Sequence, residues 1–182
     1  YLFVLVISAL VILLGILQRG PLASYLYKPS VSYRGDYWEA GISMGTSHLL
    51  NGVGVDSYGL FYRTFRSLES TIYPGIETTT DAAHNVYIDI FAGAGVMALS
   101  AYVFLTIFIV VVSWKHIKGL KSFDPVFFTL LVAWSGYQLQ SLVSINQLGL
   151  AIWGWTLGGA LIGYTRLQKT EVDKSVFSKT SQ

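Results

Sequence analysis

The sequence predicts an all-α integral membrane protein with about four transmembrane helices and one long, partly helical extracytoplasmic loop. Two observations carry this. Hydrophobic residues make up 53% of the 182 positions and charged residues only 12%. The apolar residues also fall in long runs, without the three-to-four spacing of soluble amphipathic helices. Four runs approach the roughly 20 residues needed to cross a hydrocarbon layer about 30 Å thick. Cysteine is absent, which excludes a disulfide framework and thiolate metal sites and is compatible with either side of a membrane.

The first span is placed at residues 1–17. It begins at Tyr1 without a charged leader, so the chain reads as a piece of something longer. It stops at Gln18, Arg19, Gly20 and Pro21, where charge and helix breakers coincide. A loop follows at 18–87, then spans at 88–113, 125–142 and 148–164. The last two are separated only by the polar turn around Ser144, Asn146 and Gln147, which makes them a tight hairpin.

Orientation follows from the distribution of basic residues. Lys115, Lys118 and Lys121 lie in the short connection 114–124. Arg166, Lys169, Lys174 and Lys179 lie in the polar tail 165–182, which reads as frayed and solvated. Translocating short basic flanks is unfavourable, so both segments are expected in the cytoplasm. Alternation then sends the 18–87 loop and the Asn146 turn to the other side. That loop is nearly charge-balanced, as a translocated segment should be.

The loop is too rich in aromatic and aliphatic residues for a disordered linker. Trp38, Ile42, Gly45 and Leu49 recur at helical spacing among Arg34, Asp36, Glu39 and His48, which predicts a helix lying on the membrane interface. Gly52, Gly54 and Asp56 predict a turn. A second aromatic and basic stretch carries Phe61, Phe65 and Leu68 around Arg63 and Arg66. Pro74 and Gly75 then open an irregular approach to Ala83, His84 and Asn85.

Candidate chemistry concentrates in this loop. Arg34, Arg63 and Arg66 offer planar forks that bind phosphate oxygens, and His48 and His84 can exchange a proton near neutrality. Together they suit a substrate with a diphosphate leaving group and a hydroxyl nucleophile. Composition alone also allows ordinary solvated or headgroup-contacting side chains. His84 admits two readings. Polar groups at the depth of His84, Asn85, Tyr87 and Asp89 commonly line a cavity, but the group is equally an interfacial helix cap supplied by Asn85 or Asp89. There is no Walker loop, no zinc-ligand pair of histidines four apart and no GxSxG elbow, so no metal site or cofactor is expected. Gly154 and Gly158, and then Gly159 and Gly163, repeat a spacing typical of close helix packing.

The words YRGDYWEAGISM, HLLNGVGVDSYG, AHNVYIDIFAGAGVMAL and SINQLGLAIWGWTLGGALIG, in that order around one large loop, resemble the C-terminal membrane domain of the O-antigen ligase and O-antigen polymerase superfamily. The resemblance covers residues 33–164. It matches Arg34 and Trp38 to an Arg and Trp that open the family's loop, Gly52, Val53 and Gly54 to its Gly-Val-Gly turn, and His84 and Asn85 to its His-Asn pair. It implies a GT-C-like fragment of a metal-independent, inverting glycosyltransferase. The donor would be a glycan on undecaprenyl diphosphate and the acceptor a glycan or lipid core, at the bacterial inner membrane with the loop facing the periplasm or exterior. By position, Arg34 inherits diphosphate binding and His84 the role of general base. Trp38 and Asn85 are expected to bind substrate, and Arg63 and Arg66 are further substrate-binding candidates that match no fixed motif.

A different class, a transporter or structural membrane subunit, would place ionisable residues at span centres. The four spans have none there; Asp89 and Gln138 lie toward the ends. The pattern therefore favours chemistry performed by the loop. Nothing in it suggests a nucleic-acid partner.

Overall fold

The computed structural model describes residues 33–180 together with Ile7 and Val11, with side chains described through Gln168. The expected span 1–17, apart from those two helical positions, and the loop segment 18–32 lie outside the described residues. Those described form helices and turns with no strand: α1 Arg34–Ser47, α2 Tyr58–Phe65, α3 Leu68–Ile72, α4 Val86–Gly119, α5 Pro125–Ser141 and α6 Leu148–Thr180. Among the described residues α4 alone is long and apolar enough to cross a membrane. The polar tail keeps a helical backbone to Thr180, because residues 165–180 contain neither Gly nor Pro to end the helix.

A straight helix of 34 residues would be about 51 Å long, but α4 is not straight. Gly95 has φ 75° and ψ −174°, and divides it into residues 86–94 and 96–119. On a straight helix Tyr87 and Tyr102 would stand about 22 Å apart; their rings instead meet edge to face at 5.1 Å. The first segment is therefore folded sharply over the second. From Val96 to Lys115 the second segment rises about 29 Å, the thickness of a hydrocarbon layer. It is the part whose length and composition suit a membrane crossing, while residues 86–94 pack with the loop.

Two cores result. Ile109, Phe127, Trp134 and Leu161 bury one another between α4, α5 and α6. Tyr37, Ala40, Met44, Tyr58, Tyr62, Ala83 and Ala92 form the other, in the loop and the folded-over segment. The α5–α6 turn closes on the start of α4, where Asn85 Nδ2 donates to the Leu142 carbonyl at 3.1 Å and Tyr87 donates to Gln138 at 3.0 Å. At the opposite end Asp124 caps α5 by accepting from the Phe127 amide, and Tyr164 of α6 donates to its second oxygen at 2.8 Å. The two glycine pairs divide. A Cβ on Gly154 or Gly158 would strike Tyr137 or Ile109, so that pair packs within the bundle, whereas Gly159 and Gly163 have open space before them.

Candidate functional site

The helix that carries Arg34 is placed by its small residues. Its buried face is Tyr37, Ala40, Gly41, Met44 and Gly45, and a Cβ on Gly41 or Gly45 would overlap Ile88 or the Phe91 ring. The apolar spacing of Trp38, Ile42, Gly45 and Leu49 shares only Gly45 with this face. Ile42 is exposed, and Leu49 lies past the helix end and is exposed as well. Glycine and alanine carry little hydrophobic signal, yet they permit the closest approach of two helices, so they define the contact. The contacts Gly41 to Ile88 and Gly45 to Phe91 run in one direction along both elements, so α1 lies parallel to residues 86–94.

The Gly-Val-Gly turn completes this joint. A break at Gly95 frees backbone groups that must be paired, because Ala92 and Gly95 are buried. The Val53 and Gly54 amides donate to the Ala92 and Gly93 carbonyls at 2.8 and 3.0 Å, and the Val96 amide donates to the Leu49 carbonyl at 2.7 Å. Residues 49–54 thus plug the broken helix. Gly52, at φ 64°, approaches so closely that a Cβ would meet the Gly93 carbonyl carbon at 2.4 Å.

Tyr58 and Tyr62, one turn apart on α2, turn inward. The Tyr58 hydroxyl donates to the Tyr37 carbonyl, and burial pushes both phenols above their ordinary range. Phe61 and Phe65 stand at the rim, edge-on to the His48 ring at 6.3 and 5.9 Å. Arg66 is occupied by the chain itself, donating through Nη1 to the Ile76 and Thr78 carbonyls at 3.2 and 3.1 Å. Arg63 is exposed. Neither arginine is drawn into the Arg34 and His84 cluster by a described contact.

Arg34 and His84, 50 positions apart, do come together. The His84 ring stacks on Tyr37 with centroids 5.9 Å apart, and Tyr37 lies less than a turn beyond Arg34 on α1. Burial first, and then the Arg34 charge, hold the imidazole pKa below its usual 6.5, so it is neutral at pH 7. On Arg34 the Nε–H is buried with no acceptor among the described residues. The same is true of the indole N–H of Trp38 one turn later. Two buried donors without acceptors, beside a cation, suit an oxyanion.

Asn85 is the N-cap of α4. Its Oδ1 accepts from the Tyr87 and Ile88 amides at 3.0 and 3.2 Å, and its Nδ2 holds Leu142. Both ends of the amide thus serve the fold. The cap is made by Asn85 and not by Asp89, and His84, immediately before it, is left with a left-handed backbone of φ 57°. Sequence reasoning did not single out Tyr37. Its spacing from Arg34 placed it near that residue, but its role as the platform for His84 arises from a contact between distant segments. No group of three or more metal-ligating side chains occurs among the described residues.

No curated protein and no solved structure matches this chain. One family model does, described as O-antigen ligase, over residues 1–103. The match ends inside α4, short of α5 and α6. Members of that family are membrane-associated, glycosyltransferase-like ligases. Arg34, Trp38, the Gly-Val-Gly plug and the His84–Asn85 junction all fall within this match, which takes in more than half the chain: the protein belongs to the O-antigen ligase family.

Proposed function

We propose that the protein transfers a glycan from undecaprenyl diphosphate to an acceptor hydroxyl, at a site formed around Arg34 and His84. The supporting observation is their juxtaposition: a neutral imidazole within electrostatic reach of a guanidinium with a buried donor that has no acceptor among the described residues. In this reading the acceptor oxygen attacks the anomeric carbon as its proton passes to the His84 imidazole. The bond from that carbon to the diphosphate oxygen breaks on the opposite face, with inversion, and the electron pair leaves with the undecaprenyl diphosphate. Arg34, aided by the Trp38 N–H, stabilises the charge growing on the leaving group, an effect strengthened where water is excluded. No metal is required. Phe61, Phe65 and Trp38 offer apolar surface for the polyprenyl chain, and Arg63, exposed among the described residues, is placed to meet headgroups or the outer phosphate.

The testing substitution is Arg34→Lys in the full-length protein. It keeps the charge and loses the fork, so transfer is expected to fall at least about tenfold. Arg63→Ala is expected to cost less than threefold. Arg66→Ala should act through the 76–78 segment, lowering protein yield more than specific activity. Full transfer by Arg34→Lys at normal expression would reduce Arg34 to a surface residue.

The proposed setting is a multi-pass protein of the bacterial inner membrane with α1 to α3 on the periplasmic or exterior side. A reporter fused after Ser67 is expected to read extracytoplasmic and one after Lys118 cytoplasmic. A cytoplasmic signal at Ser67 would refute this orientation.

A further inference from the structure

His84 occupies a backbone conformation that non-glycine residues seldom take, φ 57°, and such a conformation persists only where its surroundings enforce it. Three contacts bear on it. Tyr37 supports the ring from one side, and Asn85 fixes the following residue as the helix cap. The third comes from Asp89, one turn into α4. Its Oδ1 accepts the Ala83 amide at 2.6 Å, a short, charge-assisted hydrogen bond to the residue immediately before His84. Ala83 itself is fully buried. The chain is therefore held on both sides of His84, by Asp89 before it and Asn85 after it, and both holders belong to the first turn of α4.

A carboxylate is a costly choice for this task. It sits at the start of an apolar helix, and its Oδ2 is buried without a well-formed hydrogen bond, although the Asn146 amide lies beside it. Helix capping does not account for it, because Asn85 already takes the Tyr87 and Ile88 amides. Burial around His84 and then the Arg34 charge lower the imidazole's proton affinity, whereas the contact of Asp89 is with the Ala83 backbone. What remains is geometry.

We infer that Asp89 is a positioning residue for the transfer reaction: by gripping the Ala83 amide it fixes the direction of the His84 imidazole relative to Arg34. This rests on the reading of His84 as the base. An amide at position 89 can still accept the Ala83 N–H, whereas alanine cannot. A misplacement of about 1 Å in a reacting group can cost on the order of a hundredfold in rate.

The test measures kcat and the donor KM of full-length protein in proteoliposomes, per unit of inserted protein, for Asp89→Asn, Asp89→Ala, His84→Ala and the double variant His84→Ala with Asp89→Ala. Asp89→Asn is expected to keep at least about a third of kcat. Asp89→Ala should lose about tenfold or more in kcat with the donor KM within twofold. The double variant should be no slower than His84→Ala alone, because a residue acting through His84 has nothing left to act on. Should Asp89→Ala fail to accumulate, Asp89→Glu, which displaces the acceptor by one methylene, is expected to show the same fall in kcat. Wild-type kcat in Asp89→Ala, equal losses in Asp89→Asn and Asp89→Ala, or a further tenfold loss in the double variant would each overturn the inference. Full activity in His84→Ala would instead overturn the base assignment, and so identifies which of the two readings failed.

Discussion

His84→Ala in the full-length protein is expected to cut glycan transfer by about a hundredfold or more, the usual contribution of a positioned proton acceptor, while membrane insertion and donor binding stay near normal. His84→Gln should be equally inactive, since an amide hydrogen-bonds but does not take the proton. The structure sharpens this test. Asn85, not His84, caps α4, so replacing His84 removes no cap, and a loss of specific activity cannot be assigned to an unravelled helix start. His84→Asn adds a control for the backbone, because asparagine tolerates positive φ and should fold well while remaining inactive. The pH dependence of kcat/KM gives an independent sign. A base acts when unprotonated, and burial and Arg34 lower its pKa, so activity should fall with decreasing pH through a midpoint below 6.5. Arg34→Gln should move that midpoint up toward 6.5, because one of the two causes of the shift is gone. An active His84→Gln enzyme would remove His84 from the chemistry and leave anion binding by Arg34 as the surviving part of the mechanism.

The second large effect is structural. Gly95→Ala is expected to abolish folding of the loop unit, with little full-length protein protected from protease. Two penalties add. The backbone at φ 75°, ψ −174° lies in a region essentially reserved for glycine. A Cβ there would also stand 2.3 Å from the Leu50 carbonyl oxygen, in a segment whose neighbour Leu49 accepts the Val96 amide. Strain alone costs about 1–3 kcal/mol, and displacing the plug strands three backbone hydrogen bonds around the buried Ala92 and Gly95. Gly52→Ala, whose Cβ would meet the Gly93 backbone, should fail in the same way. Gly136→Ala on α5, where a Cβ meets nothing within 4 Å, is the matched control and should be neutral. Normal yield and activity in Gly95→Ala would mean that the break and its plug are dispensable.

Residue chemistry marked Arg34, Arg63, Arg66, His48 and His84 alike, as permanent cations and groups titrating near neutrality; the family resemblance picked Arg34 and His84 from among them, and the Gly-Val-Gly turn was legible as glycines where a turn is needed. The break in α4 was less visible. Ala94, Gly95 and Val96 sit in a run that reads as continuously apolar, and hydropathy reports transfer into lipid without reporting backbone direction. The contact face of α1 was less visible for a related reason. Trp38, Ile42 and Leu49 outweigh glycine on any hydrophobic scale, yet close helix contact is made by Gly41 and Gly45.

By itself, then, the sequence determined that the chain is helical, that it holds at least one stretch suited to lipid, and which residues have the chemistry for phosphate and proton. These properties belong to single side chains and short windows, and they survive without knowledge of contacts. Only the tertiary structure decided that residues 86–94 fold over the rest of α4, that Arg66 is spent on Ile76 and Thr78, and that Arg34 acts on His84 across 50 positions. Those outcomes depend on which backbone groups find partners when a helix breaks. The pairing of Val53, Gly54 and Leu49 with the ends left by Gly95 brings α1 alongside the start of α4, and with it the guanidinium to the imidazole.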